Sequence, residues 1–94
     1  MDFNVEHDVE GHQFYMVIEG YTCFLNYRIL NDGQTLDYQI TFVPPELRGR
    51  NLGQVLVKYA LDYARDNQLK IIPTCPFIKK YIDSHPEYGD LVEH

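Results

Sequence analysis

A chain of 94 residues with a formal charge of −6 has room for one domain and a modest core, so a single domain spanning residues 1–94 is expected. The excess of acid repels nucleic acid and acidic membrane surfaces, which removes both as expected partners and requires a local basic pocket for any anionic ligand. Two cysteines, Cys23 and Cys75, are too few for a disulfide framework and lack metal-ligand spacing, while eight tyrosines and five phenylalanines supply core volume.

In chain order, the first forty-three residues read as strands separated by turns. After Asn4 to His7, the stretch Gln13 to Glu19 is rich in β-formers, Gly20 follows, and Tyr21 to Leu30 is a second run. Asn31-Asp32-Gly33 offers the positive φ angles of a tight hairpin, so Thr35 to Val43 is expected to pair antiparallel with Tyr21 to Leu30. Strict alternation puts Tyr21, Cys23, Leu25, Tyr27 and Ile29 on one face with Leu36, Tyr38, Ile40 and Phe42, and turns Asp37, Gln39 and Thr41 away. Pro44-Pro45 then ends the ladder.

From Leu52 onward, Val55, Leu56, Tyr59, Ala60 and Tyr63 recur at helical spacing opposite Gln54, Lys58, Asp62, Arg65 and Asp66. Asn67 is the expected left-handed stop. Lys70-Ile71-Ile72 follows as a short strand, parallel to its predecessor because a helix joins them. Thr74 or Cys75 can cap a second helix that begins at Pro76 and buries Phe77, Ile78, Tyr81 and Ile82 until Pro86 stops it. The tail from Glu87 has no period and reads as loose. The fold class is therefore α+β (α/β), a mostly antiparallel sheet of about five strands with two helices.

The chemistry points to Arg48-Gly49-Arg50-Asn51-Leu52-Gly53, between a strand and a helix start. Gly49, Asn51 and Gly53 give backbone freedom, the helix start leaves N–H donors unpaired, and two arginines add charge, which together suit a phosphate group. Taken alone, such a loop is equally a Gly-rich turn with two solvated arginines.

With its flanks, Val43-Pro44-Pro45-Glu46-Leu47-Arg48-Gly49-Arg50-Asn51-Leu52-Gly53 resembles the Arg/Gln-x-x-Gly-x-Gly/Ala acyl-coenzyme A motif of the GNAT superfamily of N-acetyltransferases. Ala60 to Arg65, Pro73 to Phe77 and His85 to Tyr88 extend the likeness to the short, single-domain YjdJ-type branch. The resemblance implies a minimal GNAT-like N-acyltransferase fold with acetyl-CoA (coenzyme A) as cofactor. It implies that the backbone at Phe42 and Val43 pairs with the pantetheine arm. N–H groups from Arg48 through Gly49, Arg50, Asn51, Leu52 and Gly53 to Gln54 would surround the pyrophosphate. Asn51 replaces the first motif glycine; asparagine tolerates left-handed geometry better than other side chains. The chain also lacks the two helices that larger relatives place between their first strands, so the acceptor site is expected to be shallow and open.

Cys75, just before Pro76 at a helix start, is the candidate catalytic residue, because unpaired N–H groups there favour a thiolate. The resemblance implies either an acetyl-cysteine intermediate or a thiol that helps deprotonate the acceptor; a small buried thiol is the alternative. Cys23 reads as packing. His85 is about 15 Å along the helix from Cys75, too far for a dyad. His7 and His12 read as solvated turn residues without metal spacing. Tyr27, Tyr38, Tyr59 and Tyr63 read as core, and Tyr81 is the tyrosine nearest Cys75 in sequence. Lys79 and Lys80 form a solvated face or meet the cofactor's ribose phosphate.

Three functions compete. One is an N-acetyltransferase whose amine acceptor, given the acidic surface, is a small amine, a polyamine or the lysine or amino terminus of a peptide. The second is a non-catalytic coenzyme A or acyl-coenzyme A binding module, and the third a protein-interaction domain. The absence of a basic amino-terminal stretch or a bilayer-length apolar run places the chain in the cytoplasm as an expectation, and a monomer is plausible.

Overall fold

The computed structural model describes residues 4–93. Five strands, β1 (Glu6–Asp8), β2 (Gln13–Ile18), β3 (Tyr21–Leu30), β4 (Thr35–Phe42) and β5 (Lys70–Pro73), form one sheet in sequence order. The first four are an antiparallel meander, and β5 joins β4 in parallel across the helix α1 (Leu52–Asp66). A second helix, α2 (Pro76–Ser84), and a 3-10 segment, Pro86–Leu91, complete the chain. This is the expected mixed sheet with two helices.

Turn chemistry explains the meander. Asn31, Asp32 and Gly33 take φ of 55°, 55° and 88°, the left-handed region that short polar side chains and glycine tolerate. The apolar side of the sheet, with Phe14, Met16, Cys23, Leu25, Leu36, Tyr38 and Ile71, packs against α1 and α2. The Tyr38 hydroxyl donates to the Ala60 carbonyl of α1 at 2.6 Å, which satisfies a polar atom that burial would otherwise penalise.

The face assignment of β4 differs from strict alternation. Tyr27 opposes Tyr38 but Asn26 opposes Ile40, so Gln39 is an extra residue, a β-bulge. Beyond it the faces exchange: Thr41 opposes Leu25 on the core side, while Ile40 and Phe42 turn to the open side, where Ile40 is 52% exposed. The freed Ile40 N–H donates to the Asn26 side-chain oxygen at 3.0 Å. Ile29 and Tyr21 are also exposed, near the two ends of β3.

Helix α1 is rotated from the expected stripe. Val57, Leu61 and Ala64 are buried with Leu52, Leu56 and Ala60, and Tyr59 is exposed. Apolar residues lie on several sides of this helix, and tyrosine, with its hydroxyl, is the one suited to a wet rim. The left-handed stop is Gln68, with φ 57°, rather than Asn67, with φ −102°; the Asn67 amide instead donates to the Tyr63 carbonyl at 2.8 Å.

The tail is packed rather than loose. Tyr88 and Leu91 are buried, Val92 bridges to Ile71, and the Glu93 N–H donates to the Ile71 carbonyl at 2.9 Å. Arg65 pairs with Asp90 at 2.7 Å, and Lys70 Nζ donates to the Asp90 carbonyl at 2.7 Å. Nor are the two histidines solvated turn residues. His7 Nε2 lies 2.7 Å from the Tyr27 hydroxyl and its ring stacks on Phe14 at 4.2 Å, while His12 stacks on Tyr27 at 5.4 Å.

Candidate functional site

Strand β5 pairs with β4 only from Thr35 to Tyr38. The Cys75 N–H then donates to the Tyr38 carbonyl at 3.0 Å, and the two segments part. From Gln39 to Phe42, β4 has β3 on one side and no strand on the other, so its outer edge presents unpaired backbone groups. This edge runs directly into the loop before α1.

Along it lies a groove of about 330 Å³ lined by Thr41, Phe42, Val43, Leu47, Arg48, Gly49, Asn51, Leu52, Gly53, Gln54 and Phe77. Of the residues expected to hold a cofactor, all but Arg50 are in this lining. Gly49 and Asn51 take φ of 86° and 60°, so asparagine adopts the left-handed geometry that its position demands. No side chain caps α1, and its first backbone bond is from the Val55 N–H to the Asn51 carbonyl at 3.3 Å. The N–H groups of Leu52, Gly53 and Gln54 therefore have no intrahelical partner and gather positive potential at the groove.

The two arginines separate. Arg48 Nε donates to the Val43 carbonyl at 3.0 Å, which ties the two ends of the loop together and keeps the side chain at the groove. Arg50 instead forms an ion pair with Glu19, in the turn between β2 and β3, outside the groove. The pair lowers the Glu19 carboxyl and raises the Arg50 guanidinium, through the hydrogen bond first and the opposite charge second.

Cys75 is the residue before α2, 6% exposed. Its Sγ lies 3.6 Å from Thr41 Oγ1, with the thiol as donor, so it meets the inner end of the groove through Thr41. The preceding Thr74 hydroxyl donates to Asp37, a 5% exposed carboxylate that also faces Arg28 at 3.4 Å. Cys23 is fully buried, and burial raises its thiol's pKa, as suits packing.

A second hollow of about 270 Å³ shares Gln54 and Phe77 with the groove and adds Lys80, Tyr81, Ser84 and His85. His85 stacks on Tyr81 at 4.0 Å and its Nδ1 lies 2.8 Å from the Tyr81 carbonyl, so both rings are engaged with each other. Lys79 is absent from this lining.

Thr41, Leu47 and Phe77 line the groove beyond the residues expected from the sequence. Nothing local marks the bulge that turns Thr41 inward. Phe77 read as buried, but its ring closes the groove over Gly53.

Comparison with known proteins places the fold in a family. Residues 13–91 match the family model of the GCN5-related N-acetyl-transferase. The chain is 34% identical over 94 residues to Protein NATD1 of Danio rerio, covering 96% of this chain and 84% of that one. It is 36% identical over 84 residues to Protein NATD1 of Homo sapiens, covering 87% and 74%. An NMR solution structure of a GCN5-like protein from Staphylococcus aureus superimposes with a TM-score of 0.74 at 26% identity, over 96% of this chain and 87% of that one. A strand edge that opens at a bulge, a helix start free of caps and a match over nearly the whole chain lead to one conclusion: the protein belongs to the GCN5-related N-acetyltransferase family, whose general activity is acetyl transfer from acetyl-coenzyme A.

Proposed function

We propose that this chain, as a single catalytic unit of the short YjdJ-type branch, uses acetyl-coenzyme A to acetylate an amine. The observation that carries the reading is one groove that runs from the uncapped start of α1 along the free edge of β4 to Thr41, whose hydroxyl lies 3.6 Å from the Cys75 thiol.

The residues fit such a ligand. The N–H groups from Arg48 to Gln54 receive the pyrophosphate, with Gly49 and Asn51 in the conformations that turn those groups together. The exposed edge at Phe42 and Val43 pairs with the amide-bearing arm, as an added strand would. Arg50 supports the loop from behind through Glu19, and Lys80, in the adjoining hollow, suits the ribose phosphate. The bound ligand supplies an acetyl group activated as a thioester. At that point Cys75 either takes the acetyl carbon on its thiolate, as the acetyl C–S bond breaks and coenzyme A leaves as its thiolate, or takes the proton from the acceptor amine as the amine takes the acetyl group.

An acidic chain favours a cationic acceptor, and the uncovered sheet face beside Ile40 and Phe42 leaves room for a large one. The same open face favours the second reading, a binding module for coenzyme A without turnover. The two unpaired thiols suit the cytoplasm.

Thermal unfolding with and without acetyl-coenzyme A tests the reading. Ligand at about 100 times its dissociation constant adds roughly 2.7 kcal/mol of stability. The expected upward shift shrinks in Arg48→Ala; no shift at millimolar ligand removes the reading. An amine panel, with Cys75→Ala beside the wild type, separates transferase from binding module. Intact mass after exposure to acetyl-coenzyme A alone shows whether Cys75 carries the acetyl group.

A further inference from the structure

Thr41 stands where no simple strand would put it. In an unbroken β4 its side chain would share the face of Asp37, opposite the one that packs on α1. The extra residue at Gln39 inverts the alternation, pairs Thr41 with Leu25 and brings its hydroxyl to the inner end of the groove. Cys75 arrives at the same place from the other side of the fork. It is held there by its N–H on the Tyr38 carbonyl and, one residue earlier, by the Thr74 hydroxyl on Asp37.

Among the described residues the Thr41 hydroxyl has no hydrogen-bond partner except the Cys75 thiol, at 3.6 Å. A β-branched side chain suits a strand, but valine would serve the strand equally well. The hydroxyl therefore has no structural duty apart from the sulfur. A hydroxyl is donor and acceptor at once and rotates between the roles. It accepts from the S–H of the thiol, and once the proton has left it donates to the sulfur anion, the stronger of the two bonds.

We propose that Thr41 is a catalytic residue of the transfer site, whose hydroxyl stabilises the Cys75 thiolate at the bulge. The inference rests on the reading of Cys75 as the group at the point of transfer. No bond to Thr41 forms or breaks; its proton stays on oxygen throughout.

The test compares wild type, Thr41→Val and Thr41→Ser by the rate at which iodoacetamide alkylates Cys75, followed by peptide mass across a pH series. Loss of one charge-assisted hydrogen bond is expected to slow alkylation of Cys75 about tenfold at neutral pH in Thr41→Val, displacing its profile from the wild type's. Thr41→Ser should keep the wild-type profile. Turnover is expected to fall about tenfold in Thr41→Val with KM for acetyl-coenzyme A unchanged, and an unaltered unfolding midpoint shows that the variant is folded. A Thr41→Val profile that superimposes on the wild type overturns the inference, as does an equal shift in both variants. The alkylation series needs no acetyl donor, so the two ideas fail separately. Full turnover by Cys75→Ala overturns both, whereas an inactive Cys75→Ala with an unshifted Thr41→Val profile overturns the role of Thr41 alone.

Discussion

The ring of Phe77 occupies the space that a side chain on Gly53 would need: a β-carbon there would lie 3.0 Å from Phe77 Cζ and 3.1 Å from Cε2. The glycine of the loop and the second helix are thus fitted to each other at the wall of the groove. Gly53→Ala should leave stability within about 1 kcal/mol of wild type, because the better helix propensity of alanine offsets the displacement of a partly exposed ring. Affinity for acetyl-coenzyme A, by isothermal titration calorimetry, should fall about tenfold as the ring is pushed across the groove. Phe77→Ala should make the same glycine change nearly neutral in a double-mutant cycle.

The buried bond from Tyr38 to the Ala60 carbonyl joins the sheet to the middle of α1. Tyr38→Phe keeps the ring and removes the donor, so urea unfolding should show a loss of about 1 kcal/mol. The hydroxyl is held neutral, since burial drives its pKa up, with Tyr27 and Tyr63 adding to the rise. The variant should therefore leave the pH dependence of stability between neutrality and pH 9 unchanged.

His7 predicts the opposite behaviour. Burial lowers its pKa from 6.5; Asp8 opposes the shift and His12 reinforces it. The folded state thus prefers the neutral ring. Its contribution to stability is complete above the unfolded value of 6.5 and is lost as pH falls from there through the lower folded value. Between pH 7 and pH 5 the melting temperature of the wild type should drop further than that of His7→Phe, which keeps the stack on Phe14 and has nothing to protonate.

Leu91 anchors the tail in the core cluster, where it is buried. Leu91→Ala should cost about 2 to 4 kcal/mol in chemical denaturation, the range for truncating a buried leucine. A tail that merely trailed from the domain would show no loss.

Much of the fold was legible because local signals agreed with one another. Asn31-Asp32-Gly33, the two prolines after Val43 and Pro76 mark boundaries that the backbone obeys. The loop before α1 could be read for the same reason: its glycines, its arginine and the helix start lie together in sequence. What escaped depended on contacts between distant residues. The bulge at Gln39 is set by pairing against Asn26, and neither residue announces it. Arg50 was drawn away by Glu19, thirty-one positions earlier. The 3-10 tail has no 3.6-residue rhythm, and its anchors, Arg65, Lys70 and Ile71, belong to other elements. His7 is half-buried because Phe14, Tyr27 and Tyr63 converge on it from two strands and a helix.

The order of the sheet bears on how the protein comes to life. Strands that neighbour one another in space also follow one another along the chain, so the meander can zip up through short hairpins before its carboxyl-terminal part takes part. Cys75 reaches Thr41 only after β5 has docked on β4 across the span of α1. The Phe77 wall of the groove and the Cys75 sulfur both follow β5 along the chain, so the site and its thiol are completed together, when the final strand is in place.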